Sequence, residues 1–234
     1  MNNQTVLRTL QGRIGSADWS KWQIHRWQFY DYVRYTAAGV AQLTFFANPL
    51  GSTDPVSALA KTLEQTNVPK ARTFGQVYFI INQIRTHIMI VPRARQVAAV
   101  TNVTDWLFVA AHTALTTLIN DLSHQGVLNI KIGQKDYFDI DQPFTNCPPG
   151  FGIHINQWCG VTAATAGAVK VFRQSPNAED VYDVSPPQMV EPEQTIEATI
   201  DFPNGNTPSI AGLVGPPVVD IGLIFDGYIA RPAQ

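Results

Sequence analysis

The sequence is short of cysteine, of charge and of long apolar runs. Only 2 of its 234 residues are cysteine, and charged residues make up 15% of the chain, against roughly 25% in ordinary soluble domains. No apolar run approaches the roughly 18 residues of a membrane-spanning helix, and the first residues, MNNQTVLRTLQGR, are polar. These absences predict a soluble chain with neither a membrane span nor a signal peptide, made in the cytoplasm.

The two cysteines, Cys147 and Cys159, flank a short loop. They could pair, but no further cysteine accompanies them, so the spacing does not indicate a zinc site. In a reducing cytoplasm, free thiols are the favoured interpretation.

Motifs that carry catalysis are also missing. The chain has neither a G-x-S-x-G elbow nor a G-x-x-x-x-G-K-[ST] loop. His154 lies in a segment that resembles the opening of a cupin metal motif, but Asn156 stands where the second histidine is needed. The sequence has two acidic pairs, Asp139/Asp141 and Glu191/Glu193, that could bind Ca²⁺ or serve as the acid and base of a glycosidase. Such pairs are common in turns, where they are usually solvated. The sequence therefore predicts a protein that is not an enzyme and has no cofactor, metal or catalytic site.

Alternating apolar positions predict β-strands. Between Gly126 and Gly133 the residues Leu128, Ile130 and Ile132 share one parity, which is typical of a strand with one buried face. In the predicted closing strand 218–229, Asp220 and Asp226 face away from much of the apolar set. Further strands are predicted at 40–46, 74–91, 167–173 and 195–202, with 74–91 either one strand or a bent pair broken at Asn82 and Gln83. About eight strands with wide loops favour a two-sheet sandwich or barrel.

One helix is expected among these strands. Thr104–His124 has apolar residues at helical spacing, Thr104 or Asp105 as its cap, and Gly126 just past its end. A shorter helical turn is predicted near Ser57–Leu63, inside the long loop that follows the first predicted strand.

Aromatic and basic side chains alternate in residues 13–35. Such a segment could stack on bases and neutralise phosphates, but it contains no dense block of like charge, which favours an arm that anchors on a neighbouring subunit. We therefore predict an extended N-terminal arm over residues 1–35 and one domain over 36–234. The candidate contact residues in the arm are Trp19, Trp22, Trp27 and Tyr30.

Charge is divided unevenly along the chain. Residues 1–100 carry a net charge of +7 and residues 101–234 a net charge of −9. The two parts could meet between copies, the positive part could face nucleic acid or lipid headgroups, or folding could cancel the charge within one subunit. If the parts meet between copies, the candidate contacts are residues in predicted loops at strand ends: Arg93, Arg95, Asp180 and Asp183.

Several short segments together resemble the jelly-roll major capsid (coat) proteins of small tailless icosahedral phages. They are FFANPLG (45–51), KTLEQTNV (61–68), GVLNIKIGQKDYF (126–138), SPPQMVEPEQTIEATIDFP (185–203) and DGYIARPAQ (226–234). The resemblance implies an all-β jelly-roll sandwich or barrel of about eight strands, with one inserted helix. It also implies a virion protein that forms trimers or pseudo-hexameric capsomers around the genome with other virion proteins, often over an internal membrane that the basic part could contact.

A length of 234 residues favours a single elaborated barrel over a double jelly roll. The main rival is a carbohydrate- or receptor-binding jelly roll, a lectin or spike module, in which exposed Trp and Tyr side chains would stack on sugar rings.

Overall fold

The elements of the fold are eight β-strands in the part of the chain that the structure describes. This computed structural model describes residues 8, 12, 22–35, 40–56, 58–91, 126–137, 181–202 and 218–232. The strands are β1 Trp22–Tyr35, β2 Gln42–Phe45, β3 Tyr78–Val91, β4 Val127–Ile132, β5 Lys135–Asp136, β6 Tyr182–Val190, β7 Ile196–Asp201 and β8 Val218–Pro232. The predicted helix Thr104–His124 and the predicted strand 167–173 lie outside the described residues.

The strands form two four-stranded antiparallel sheets. The first sheet has the order β1-β8-β3-β6 and the second the order β2-β7-β4-β5. The expectation of an all-β protein with two sheets is therefore confirmed.

The core lies between the two sheets, and strands such as β4 and β7 bury alternate side chains in it. In β4, Leu128, Ile130 and Ile132 are buried, which is the parity that the sequence predicts. In β8, Asp220 and Asp226 lie off the core cluster, as predicted. Phenylalanine rings fill the centre: Phe46 stacks on Phe225 with centroids 4.9 Å apart, and Phe29 on Phe74 at 4.1 Å. Burying each such side chain contributes about 1.5–3 kcal/mol.

The structure differs from the predicted arm in residues 22–35. This segment is β1, an edge strand that pairs with β8 along its whole length, from Trp22 opposite Pro232 to Tyr35 opposite Val219. Phe29 and Tyr35 are buried in the core. The physical reason is the period of two, which turns alternate aromatic residues inward. Of the residues before 22, only 8 and 12 are described, so an arm there stays a prediction.

The long segment after residue 74 forms one strand with an irregularity. The register of β3 shifts between Ile81 and Gln83, the point at which the sequence indicates a possible break. Opposite this shift, a Cβ on Gly227 would lie 1.8 Å from the backbone oxygen of Ile80. Only glycine fits this close approach between β8 and β3.

Sequence reasoning missed β6. Pro186 and Pro187 are unusual within a strand, because proline cannot donate to a sheet. However, β6 is an edge of the first sheet and has β3 as its neighbour there, so no donor is needed on the open side.

The helical turn predicted near Ser57–Leu63 is wrong in the part that the structure describes. Thr53 and Ala60 form an antiparallel bridge, so the segment is a small hairpin. Ala58 has a φ of 57°, which is incompatible with a right-handed helix.

Candidate functional site

The predicted contact residues do not converge on one place. Trp22, Trp27 and Tyr30 lie on β1, whereas Asp183 lies on β6, at the opposite edge of the same sheet. The Asp183 carboxylate accepts a hydrogen bond from the Gln83 side chain at 2.8 Å. The other four candidates, outside the described residues, are Trp19, Arg93, Arg95 and Asp180.

The two tryptophans of β1 have different surroundings. Trp22 packs against the buried pair Ile80 and Ala230, and its ring centroid is 5.7 Å from that of Tyr78. Trp27 is 46% exposed. Of these two side chains, Trp27 is therefore the one available to a partner.

The β2–β3 loop, residues 46–77, covers part of the open edge of β1. The Tyr32 amide donates to the Gln65 carbonyl at 2.7 Å, and the Tyr30 amide donates to Asn67 Oδ1 at 3.0 Å. Asn67 Nδ2 donates to the Gln28 carbonyl at 2.7 Å, and the Tyr30 hydroxyl donates to the Leu63 carbonyl. The polar groups of Tyr30 are thus used within the chain, and its pKa is raised by burial.

A buried ion pair anchors the same loop to the sheet. Lys61 Nζ lies 2.6 Å from Asp31 Oδ1, and both side chains are 1% exposed. Asp31 Oδ2 accepts the Phe46 amide at 2.7 Å, so both carboxylate oxygens have donors. Burial raises the pKa of Asp31, an effect that Lys61 and the hydrogen bonds oppose.

Above this anchor the loop exposes aliphatic side chains that sequence reasoning did not single out. Their exposed fractions are Leu50 44%, Val56 43%, Leu59 59% and Leu63 63%. Between residues 47 and 63 the only charged residues are Asp54 and Lys61, and both are buried. The sequence did contain a signal, namely aliphatic residues and almost no charge in a segment punctuated by proline and glycine, where solvated polar residues are usual.

The outer face of the first sheet, which points away from the second sheet, carries a row of polar contacts. Tyr32, Gly222 and His87 lie side by side on β1, β8 and β3. The Tyr32 hydroxyl is 3.0 Å from His87 Nδ1, within hydrogen-bond distance. Gly222 makes room for this contact, since a Cβ there would lie 2.3 Å from the Tyr32 ring.

Tyr32 gives the protein a measurable pH dependence. Burial raises the pKa of Tyr32 to about 12 from its ordinary value of 10.0. Between these values the unfolded chain loses a proton that the folded chain keeps, so the free energy of unfolding should fall as pH rises through that window. Urea unfolding followed across the window should show a smaller fall for Tyr32→Phe than for the unchanged protein. Equal falls would mean that Tyr32 does not carry the effect.

Ion pairs join the positive and negative parts of the chain within one subunit. Arg26 pairs with Asp226 at 3.1 Å and Arg34 with Asp220 at 2.5 Å, both between β1 and β8. Two further pairs tie the β2–β3 loop to residues of the second part: Lys70–Glu193 at 2.7 Å and Arg72–Glu197 at 2.6 Å. For these residues, the contacts support the alternative in which folding cancels the charge within one subunit.

Comparisons with known proteins identify no relative: no family model, no curated protein and no solved structure matches the chain. Among the described residues, no helix is long and apolar enough to cross a membrane. No group of three or more His, Cys, Asp or Glu side chains in the same part of the chain could hold a metal ion. His154, Cys147 and Cys159 lie outside that part.

Proposed function

We propose that this protein is a viral coat subunit, a jelly roll that assembles with copies of itself into a capsid shell. The observation that carries the proposal is the order of the strands. Resemblance of short segments to phage coat proteins points the same way, but the strand order is independent of it.

The strand pairs are those of one long hairpin that has been rolled up. β1 lies beside β8, β2 beside β7, β3 beside β6 and β4 beside β5, so the first four strands return as the last four. Additional pairs, β3 with β8 and β4 with β7, complete the two sheets. This strand order supports the proposal of a jelly roll, an eight-stranded double sheet that serves viral capsids, lectins and cupins.

Among capsid, lectin and cupin functions, the surface of the described residues favours that of a coat subunit. Ion pairs within the subunit neutralise four cations of the positive part of the chain, and the β2–β3 loop exposes aliphatic side chains while Lys61 anchors it to the sheet. Depletion of charge and exposure of apolar groups are typical of surfaces that associate with other protein.

The carbohydrate-binding alternative rests on a different part of the outer face. Tyr228 lies directly opposite Arg26, and Trp22 and Tyr78 are in contact nearby. Rings beside polar groups could receive a sugar. However, Asp226 already accepts hydrogen bonds from Arg26 and Gln28, and Trp22 packs against Ile80, so these groups are engaged within the chain. The coat function is therefore favoured.

Assembly tests the proposal directly. Light scattering coupled to size-exclusion chromatography should show a trimer or a larger assembly at micromolar protein concentration, because a shell subunit must bind its copies. A protein that stays monomeric at every accessible concentration would contradict the coat function. A monomer that also binds immobilised glycans would support the carbohydrate-binding alternative instead.

A further inference from the structure

We propose that Lys61 and Asp31 react with each other and form an intramolecular isopeptide bond between the β2–β3 loop and β1. The bond joins two side chains whose atoms already lie close together, with Lys61 Nζ 2.6 Å from Asp31 Oδ1. Three features carry the proposal: an amine beside a carboxyl group, exclusion of water, and a donor for the charge that develops. Because the reaction takes place within one folded subunit, it is independent of the coat function.

The pair brings a potential nucleophile to a carboxyl group. Among the ion pairs of the described residues, those of Arg26, Arg34 and Arg72 contain a guanidinium, which keeps its proton in proteins. Lysine instead carries an amine, which is a nucleophile once it is neutral. The carboxyl carbon of Asp31 is one covalent bond beyond Oδ1, so Lys61 Nζ is near the roughly 3–3.5 Å at which reacting atoms approach each other.

Burial distinguishes this pair from the Lys70–Glu193 pair, which also contains an amine. The two N–O distances are nearly equal, 2.6 Å and 2.7 Å, but the side chains of the first pair are each 1% exposed and those of the second 67% and 43%. Water stabilises the separate charges of the exposed pair, whereas the interior favours transfer of the proton from the ammonium to the carboxylate. Burial correspondingly raises the pKa of Asp31. Only the buried pair is therefore expected to reach the neutral amine and neutral acid that can condense.

A backbone amide is in place to stabilise the oxyanion. Asp31 Oδ2 accepts the Phe46 amide at 2.7 Å. Phe46 makes this contact with a φ of 62°, a left-handed conformation that bulky residues rarely adopt. Phe46 and Thr66, which lies opposite Asp31 in an isolated bridge, are fully buried. A fixed donor on the oxygen that gains charge stabilises the tetrahedral intermediate of acyl transfer in such a dry site.

The reaction releases one water and needs no other reactant. After the proton transfer, the Lys61 amine attacks Asp31 Cγ, and Oδ2 carries the negative charge of the intermediate beside the Phe46 amide. The Nζ–Cγ bond forms and the Cγ–Oδ1 bond breaks, so Oδ1 leaves as water with one proton from the acid and one from the amine. Oδ2 becomes the carbonyl oxygen of the new amide. Two buried ions are thereby replaced by one neutral group, which removes the cost of burying charge.

Mass spectrometry of the full-length protein, denatured after purification, tests the proposal. The protein should be lighter than its sequence mass by one water. Trypsin cuts after arginine and lysine but not after an acylated lysine, so digestion should release peptide 27–34, which contains Asp31, joined to peptide 35–70, which contains Lys61. Fragmentation of this branched peptide should locate the link at the two side chains.

Two variants serve as controls, each compared with its own sequence mass. Lys61→Arg keeps the positive charge but has no nucleophilic amine, so it should have the full mass and release peptide 27–34 unlinked. Lys70→Met breaks the exposed pair and should still be lighter by one water. Urea unfolding checks that both variants keep the fold. If Lys61→Arg does not fold, the peptide map of the unchanged protein decides alone.

The possible results separate the link from the coat function. An unchanged protein with the full sequence mass overturns the inference and leaves the coat function standing. A loss of water that persists in Lys61→Arg also overturns it, because the water would then come from another site, such as cyclisation at Asp226 and Gly227. A protein that carries the link but stays monomeric would support the inference and contradict the coat function.

Discussion

A chain that begins at residue 36 is expected to lose the fold. Removing residues 1–35 deletes β1, which pairs with β8 over 14 residues, and takes Phe29 and Tyr35 out of the core. It also removes Asp31 and so leaves Lys61 as a buried charge without its partner. In urea, monitored by circular dichroism, the shortened chain should show no cooperative unfolding transition.

The matched variant begins at residue 22 after an initiating methionine. It keeps all eight described strands, so we expect it to unfold cooperatively. If residues 1–21 form an arm, this variant should fold yet assemble poorly. A cooperative transition in the chain that begins at residue 36 would show that β1 is dispensable and would restore the predicted domain boundary.

Replacing Lys61 by methionine is expected to cost about 3–5 kcal/mol of unfolding free energy. The change removes one member of a pair whose side chains are each 1% exposed, so the Asp31 carboxylate is left buried without its counter-charge. The loss should appear as a lower urea midpoint with little change in the slope of the transition.

Two companion variants test the cause. Lys70→Met breaks the exposed Lys70–Glu193 pair and should cost only roughly 0–1 kcal/mol. Asp31→Asn combined with Lys61→Met removes both buried charges while a side-chain oxygen can still accept the Phe46 amide, so it should recover part of the loss. Similar losses of unfolding free energy for Lys61→Met and Lys70→Met would mean that breaking the buried pair costs no more than breaking the exposed pair.

The strands that could be predicted share one property. In β4, β7 and β8 the apolar residues alternate with other residues, so the sequence identifies the face that packs in the core. In β8 the same alternation places Asp220 and Asp226 on the opposite face. β1 was misjudged because its basic and aromatic residues suggested an arm. β6, which contains two prolines, was not predicted as a strand. Both are edge strands of the first sheet, where such residues are tolerated because one side of the strand needs no partner.

By itself, the sequence determined the β-strand character of the described part of the chain, since the period of two is a local property that the backbone imposes on each strand. It also determined that most positive charge precedes most negative charge. Only the tertiary structure decided that Arg26, Arg34, Lys70 and Arg72 pair with carboxylates of the negative part within one subunit. It also decided that Asp31 meets Lys61 in the core and that the first four strands return as the last four. These features depend on contacts between residues far apart in the chain, and the energy of such contacts depends on burial, which no local pattern specifies.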